Sequence, residues 1–182
     1  LATLGKSHNV EPEKFVDRFM SRRHFAVYHP TLSDSDGELY FRAGRFQKAF
    51  GINLPDHIVS TKQGLGFNYG TETYNIEAAW VDSQKDIFVT AVLGRPDDLS
   101  LDREKGVAVR AGYNLKENYK AGFSYFYGTH TDASRHLMGP YTLLGFRNDL
   151  FLLAEVDFQQ SRAKNAESVW GWANYAKLDY EV

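Results

Sequence analysis

Tyr74–Leu93 reads YNIEAAWVDSQKDIFVTAVL, and this stretch decides the fold. It is two runs of period-two alternation about a polar turn. In the first run Tyr74, Ile76, Ala78 and Trp80 share one face, while Asn75, Glu77 and Ala79 share the other. In the second run Ile87, Val89, Ala91 and Leu93 continue the apolar face. Successive side chains of an extended strand point to opposite sides, so the pattern specifies strands with one apolar and one polar face. Asp82–Lys85 between them is short enough for a hairpin.

The same reading extends outward in both directions. Before it stand Leu65, Phe67 and Tyr69; after it come Val107, Val109, Ala111 and Tyr113, then Tyr119, Ala121, Phe123, Tyr125 and Tyr127. Leu150, Leu152, Ala154, Val156 and Phe158 repeat the pattern, opposite Glu155, Asp157 and Gln159. The expected fold is all-β, with about ten strands between residues 23 and 182. Many approach the roughly 9–11 residues of a tilted membrane strand, against about 5–6 for an average soluble one. Gly70–Thr73, Leu115–Asn118 and Arg147–Asp149 are further short connections. Pro96–Lys105, Thr129–His136 and Gln160–Ser168 read as longer loops, and Gln47–Lys62 as a long link. From Asp82 onward short and long connections alternate, as in an up-and-down barrel. Pro140 demotes its segment to an edge or broken strand, because proline cannot donate to a ladder. Residues 1–22 form a lead-in, with a short helix expected over 11–23 from Pro12 and the i, i+4 pair Phe15 and Phe19.

Composition narrows the function classes. Net charge is -2, so nucleic acid is not an expected partner. With no cysteine, disulfides, thiolate zinc sites and iron–sulfur clusters are excluded. No charge-free stretch approaches the roughly 20 residues of a spanning helix. Aromatic residues, at 15% of the chain, are the unusual feature, and they sit at strand ends. Tyr69 and Tyr74 flank one turn, Trp80 and Phe88 the next, Tyr113 and Tyr119 another, Phe146 and Phe151 a fourth. Smaller aliphatics lie between them, as in a lipid-facing band with aromatic girdles. A soluble sandwich or barrel whose apolar face is its core shows the same alternation.

Glu38–Phe46 (ELYFRAGRF) running into Gln47–Asn53 (QKAFGIN), with the closing Tyr175–Tyr180 (YAKLDY), resembles Gram-negative porin-like outer-membrane barrels. The resemblance implies an antiparallel up-and-down transmembrane β-barrel that passes small polar solutes by diffusion, without catalysis or a cofactor. It also implies a constriction loop at Phe50, Asn53 and Pro55. Outer-membrane lipid is then a partner, with other envelope proteins or further copies of the chain as candidates. Leu1–Val10 carries no export signal, and Ala176, Leu178, Tyr180 and Val182 alternate to the last residue. A segment of a larger barrel is therefore the expectation. The alternatives are a soluble all-β ligand-binding domain and a barrel serving as scaffold or sleeve in an envelope complex.

Lumen-facing charges are the leading site candidates: Arg42, Glu77, Arg110, Lys120, Glu155 and Asp157, with Lys177 and Asp179 beyond them. Both signs occur, so a mixed field is expected rather than a clear ion preference. His130, Asp132 and His136 hold the best spacing for a cation or acid–base pair, in an ordinary polar loop. His57 and Ser60 offer a base and a nucleophile without a third orienting group. Gly64–Gly70 lacks the Lys-Ser/Thr of a phosphate loop, and its glycines suit strand curvature.

Overall fold

The computed structural model describes residues 2–4, 19–21, 23–32, 36–52, 61, 64–67, 71–95, 104–147 and 149–180. These are all-β. A two-stranded ribbon pairs β1 (Ala2–Leu4) with β2 (Phe19–Ser21). A nine-stranded antiparallel sheet then runs in strict sequence order. Its members are β3 (His24–Tyr28), β4 (Gly37–Phe46), β5 (Thr73–Asp82), β6 (Lys85–Gly94) and β7 (Lys105–Lys116). They are followed by β8 (Tyr119–His130), β9 (Ala133–Arg147), β10 (Leu150–Ala163) and β11 (Ser168–Tyr180). From β3 to β11 each strand pairs with its sequence neighbours in the sheet, the up-and-down order that alternation and short turns dictate. The sheet is not closed into a barrel: β3 and β11 are its two edges.

The turn read at Asp82–Lys85 forms for a local reason. Asp82 Oδ1 accepts the backbone N–H groups of Gln84 and Lys85, each at 2.8 Å, closing the reversal with its own side chain. Register then sets the faces. Arg42 opposes Glu77, Glu77 opposes Thr90, and Thr90 opposes Ala108, so one face collects polar and small residues across four strands. Ile76, Ala91 and Val107 line up on the other.

The polar face is the buried one. Asn75, Glu77, Asp86, Thr90, Ser124, Glu155 and Asp157 are buried, while Ile76, Val89, Leu93, Val107, Phe123 and Phe158 are exposed. The polar face encloses its own apolar cluster of Phe50, Leu65, Phe67, Val92, Ala108, Phe126 and Leu137, with Ala173 of β11 packed against it. Three of these residues come from connections rather than strands.

Several expectations need correction. Leu65 and Gly66 form a turn and Phe67 follows it, so no strand runs through 64–67; Leu65 and Phe67 pack inside instead. Phe19–Ser21 is a strand, not the end of a helix, because a pair of phenylalanines offers a short helix little to bury while β1 offers backbone partners. Residues 11–18 lie outside the described residues. Thr129–His136 is no long loop: β8 and β9 meet across Thr131 and Asp132 alone. Phe88 faces inward beneath Arg110, not toward a girdle with Trp80. Pro140 sits in the 15-residue β9, between β8 and β10, not on an edge. The β9–β10 ladder lapses there, from Tyr141 opposite Glu155 to Met138 opposite Phe158, without a change of register. The missing donor thus removes local pairing and not the strand.

Candidate functional site

The inward face is organised around residues 47–52, which leave β4 and cross the interior. Asn75 Nδ2 on β5 donates to Phe46 O at 2.6 Å, and Gln47 donates to Phe67 O. The Gly51 N–H then donates to Ser124 Oγ on β8 and the Ile52 N–H to Glu155 Oε2 on β10, both at 2.9 Å. Between Phe46 and Ile52 the chain therefore passes from β5 to β10. Gly51 has φ 57°, and a Cβ at this residue would lie 1.6 Å from Glu155 Oε1. Only glycine meets both demands. Phe50 stacks on Phe67 with ring centroids 4.6 Å apart, and Phe67 meets Phe126 edge-on at 5.8 Å.

Charged groups surround this segment in a definite order. Arg42 Nη2 lies 2.7 Å from Glu77 Oε1, and Thr90 Oγ1 donates to Glu77 Oε2 at 2.8 Å. The Arg42 guanidinium lies 3.9 Å from the Phe46 ring centroid. Asp86 is shared: Arg110 Nη1 stands 3.2 Å away, and Lys120 contacts the other oxygen. Arg110 also lies over Phe88 and Tyr141. Arg135 grips Glu104 with two bonds of 2.5 and 2.7 Å and donates to Leu65 O at 2.7 Å, fixing the 64–66 turn to β9.

Lys48 differs from these cations. It is buried, and its Nζ sits 4.6 Å from the Phe67 ring and 4.7 Å from Phe126. Among the described residues it has aromatic faces in place of a carboxylate contact. Burial lowers its ammonium from 10.5 to about 8, with Glu104 opposing the fall and Arg135 adding to it. Lys48 lines two cavities. One of about 300 Å³ is bordered by Arg23, Tyr40, Arg42 and Arg110; another of about 530 Å³ by Arg95, Glu104, His130 and Arg135.

The lumen candidates thus divide. Arg42 and Arg110 line the smaller cavity. Glu77 is buried beneath Arg42, Lys120 is held by Asp86, and Glu155 anchors residues 51 and 52. Asp157 is buried close against Gly139, and Lys177 pairs with Asp179 at 2.8 Å near the β11 edge. Phe50 is inside; Asn53, Pro55, His57 and Ser60 lie outside the described residues. The structure does not bring His130, Asp132 and His136 together. His130 lines the larger cavity, whereas His136 is on the apolar face, 2.8 Å from Tyr125 Oη. No metal-competent cluster of three such residues occurs among the described residues. Lys48, Asp86, Glu104 and Arg135 were not singled out from sequence. Lys48 stands in the quoted QKAFGIN, but a connection carries no periodicity to say where a side chain points. No family model, curated protein or solved structure matches this chain.

Proposed function

We propose that this chain is part of an outer-membrane β-barrel acting as a porin-like channel, a passive path for small polar solutes with no chemical step. One observation carries the reading: the sheet is inverted relative to a water-soluble protein. Glu77 and Asp86 are buried and paired with cations on one face, while Ile76, Val89, Leu93, Val107, Phe123 and Phe158 stand outward, 44–53% exposed. Water-soluble sheets hide aliphatic side chains and display charge. A contiguous apolar band across β5–β10 is costly in water and favourable in hydrocarbon. Strands of 10–15 residues from β4 to β11 suit the same setting. The reading also makes a demand. A sheet in hydrocarbon leaves no edge unpaired, so β3 and β11 need strand partners.

In this reading residues 47–52 narrow the lumen, held there by Ser124 and Glu155. The Phe50–Phe67–Phe126 packing inside the sheet favours a second reading, a plugged sleeve that conducts nothing. Fractionation of the native gene product, with gel migration before and after boiling, tests the barrel. The expected result is a boiling-sensitive band in the outer-membrane fraction that conducts in planar bilayers. A soluble, detergent-independent protein overturns the barrel, and a heat-modifiable protein without conductance is the sleeve.

A further inference from the structure

We infer that the free edge of β11 is covered by a further β-strand of the same polypeptide, antiparallel to β11, and that an odd number of strands separates β11 from β3. Strand direction is the argument. Eight antiparallel pairings lead from β3 to β11. Eight reversals restore the starting direction, so the two edges run the same way. Joining them directly makes a parallel ladder in a sheet whose described pairings are all antiparallel. It also sets the five residues of β3 against the thirteen of β11, so most of the longer edge stays bare. Copies of the chain arranged in one sense around a barrel axis repeat the problem, because β11 of one then meets β3 of the next. An added strand antiparallel to β11 removes it, and only an odd number of added strands reaches β3 with every pairing antiparallel.

The edge itself shows what kind of strand is missing. Register puts Trp170, Trp172, Leu178 and Tyr180 on the outward face, opposite Gln160, Phe158, Leu152 and Leu150 of β10. These four are 61–68% exposed, against 44–53% for Ile76, Val89, Leu93, Val107, Phe123 and Phe158, which have strands on both sides. A neighbouring strand covers a side chain through its cross-strand pair, and in this sheet the four have that cover on the β10 side alone. Inward, Ala173 packs against the inner cluster, while Lys177 and Asp179 are exposed and pair with each other. The strand that fits carries apolar side chains outward, beside the two tryptophans, Leu178 and Tyr180, and small or polar ones inward. Its source follows the order of the sheet, in which every neighbour from β3 to β11 is the adjacent strand in sequence. That the edges are covered rests on the channel reading, since hydrocarbon tolerates no bare edge; their common direction does not.

The test places the photo-reactive residue p-benzoylphenylalanine at Trp172 or at Leu178 of the full native gene product. Cells are illuminated and fractionated, and the captured peptides are mapped by mass spectrometry. Capture of Phe158 from position 172 and of Leu152 from position 178 reports an assembled sheet. Beyond these, both probes should capture one further segment of the same polypeptide, with no gain of mass on the gel. The residue captured from 178 should precede in sequence the one captured from 172, as an antiparallel neighbour requires. Capture in the rising order overturns the inference. So does capture of β3, within one chain or between copies, or of the β11 of a second copy. An assembled sheet with no capture beyond β10, in a boiling-sensitive outer-membrane band, overturns the inference and leaves the channel reading standing. A soluble, detergent-independent protein that captures the segment in falling order keeps the inference and overturns the channel. Where either substitution prevents assembly, Trp170 and Tyr180 take the probe and the same outcomes decide.

Discussion

Ile76 and Glu77 are neighbours in β5 and opposites in environment: the isoleucine is 53% exposed and the glutamate 0%. The contrast holds along the sheet, with Val89 against Thr90, Val107 against Ala108, and Phe123 against Ser124. It teaches that the two faces are held by different forces. On the inward face, buried carboxylates are held by partners, Glu77 by Arg42 and Thr90, Asp86 by Arg110 and Lys120. On the outward face no such partner is needed, and Ile76, Val89 and Val107 remain 44–53% exposed. The edge strand β11 shows the limit of the arrangement. Its inward Lys177 and Asp179 are exposed and pair with each other.

The sharpest way to break the comparison is from inside. Arg42→Ala leaves Glu77 buried with only the Thr90 hydroxyl, at a cost of about 3–5 kcal/mol. The double variant Arg42→Ala/Glu77→Ala removes both charges and recovers part of that loss. Urea titration of the boiling-sensitive gel band measures both. Equal loss in single and double variants means that the pair is not held in a water-poor interior.

Substitution one residue along probes the outward face. Ile76→Arg costs about 2–4 kcal/mol if the band meets lipid at mid-depth. If the band meets water, an exposed position tolerates the change within about 0.5 kcal/mol. The same urea titration on vesicle-reconstituted protein separates the two media, and a negligible loss removes the basis of the membrane reading.

Much of this contrast was legible in the sequence, and the boundary of legibility is physical. Wherever a residue's environment follows from its parity in a strand, as for Tyr74–Leu93 or Val107–Tyr127, alternation gave the face correctly. Phe88 shows the exception, an aromatic assigned to a girdle although its parity with Asp86 and Thr90 places it inward. Pro140 reads as an edge or broken strand because it lacks a donor, whereas β9 runs through it between β8 and β10 and its ladder to β10 lapses beside it and resumes at Met138. The site was less legible than the sheet. Arg42 and Arg110 were found by parity, but Lys48 lies in a connection, where its partners, Phe67 and Phe126, are 19 and 78 residues away.

Smaller in expected effect is a change in the segment that crosses the inward face. Gly51→Ala forces a side chain into left-handed backbone and against Glu155, at a cost of about 2 kcal/mol. The segment's two backbone bonds, to Ser124 and Glu155, are the ones that yield. In the channel reading the variant remains a heat-modifiable barrel with raised single-channel conductance. Unchanged conductance means that residues 47–52 do not set the constriction.

The smallest effect is a titration, and it distinguishes Lys48 from the arginines beside it. Burial has lowered its ammonium to about 8, so it is charged at pH 6.5 and mostly neutral at pH 9. The arginines stay charged throughout this range. Facing Lys48 are Phe67 and Glu104 from the connections, Phe126 of β8 and Arg135 of β9, with Arg23, Arg42 and Arg110 across one cavity, Arg95 and His130 across the other. In the channel reading, raising the pH therefore removes positive charge from the conduction path, and the permeability of chloride relative to potassium should fall by about threefold, under 1 kcal/mol. Stability moves the opposite way. Because the unfolded lysine titrates at 10.5, it holds a proton that the folded one has lost, so rising pH stabilises the fold between about 8 and 10.5. Reversal potentials across pH 6.5–9 in the wild type and in Lys48→Met measure the functional half. The decline should be present in the first and absent in the second; an equal decline in both assigns the titration to another group and leaves Lys48 a packing residue between two rings.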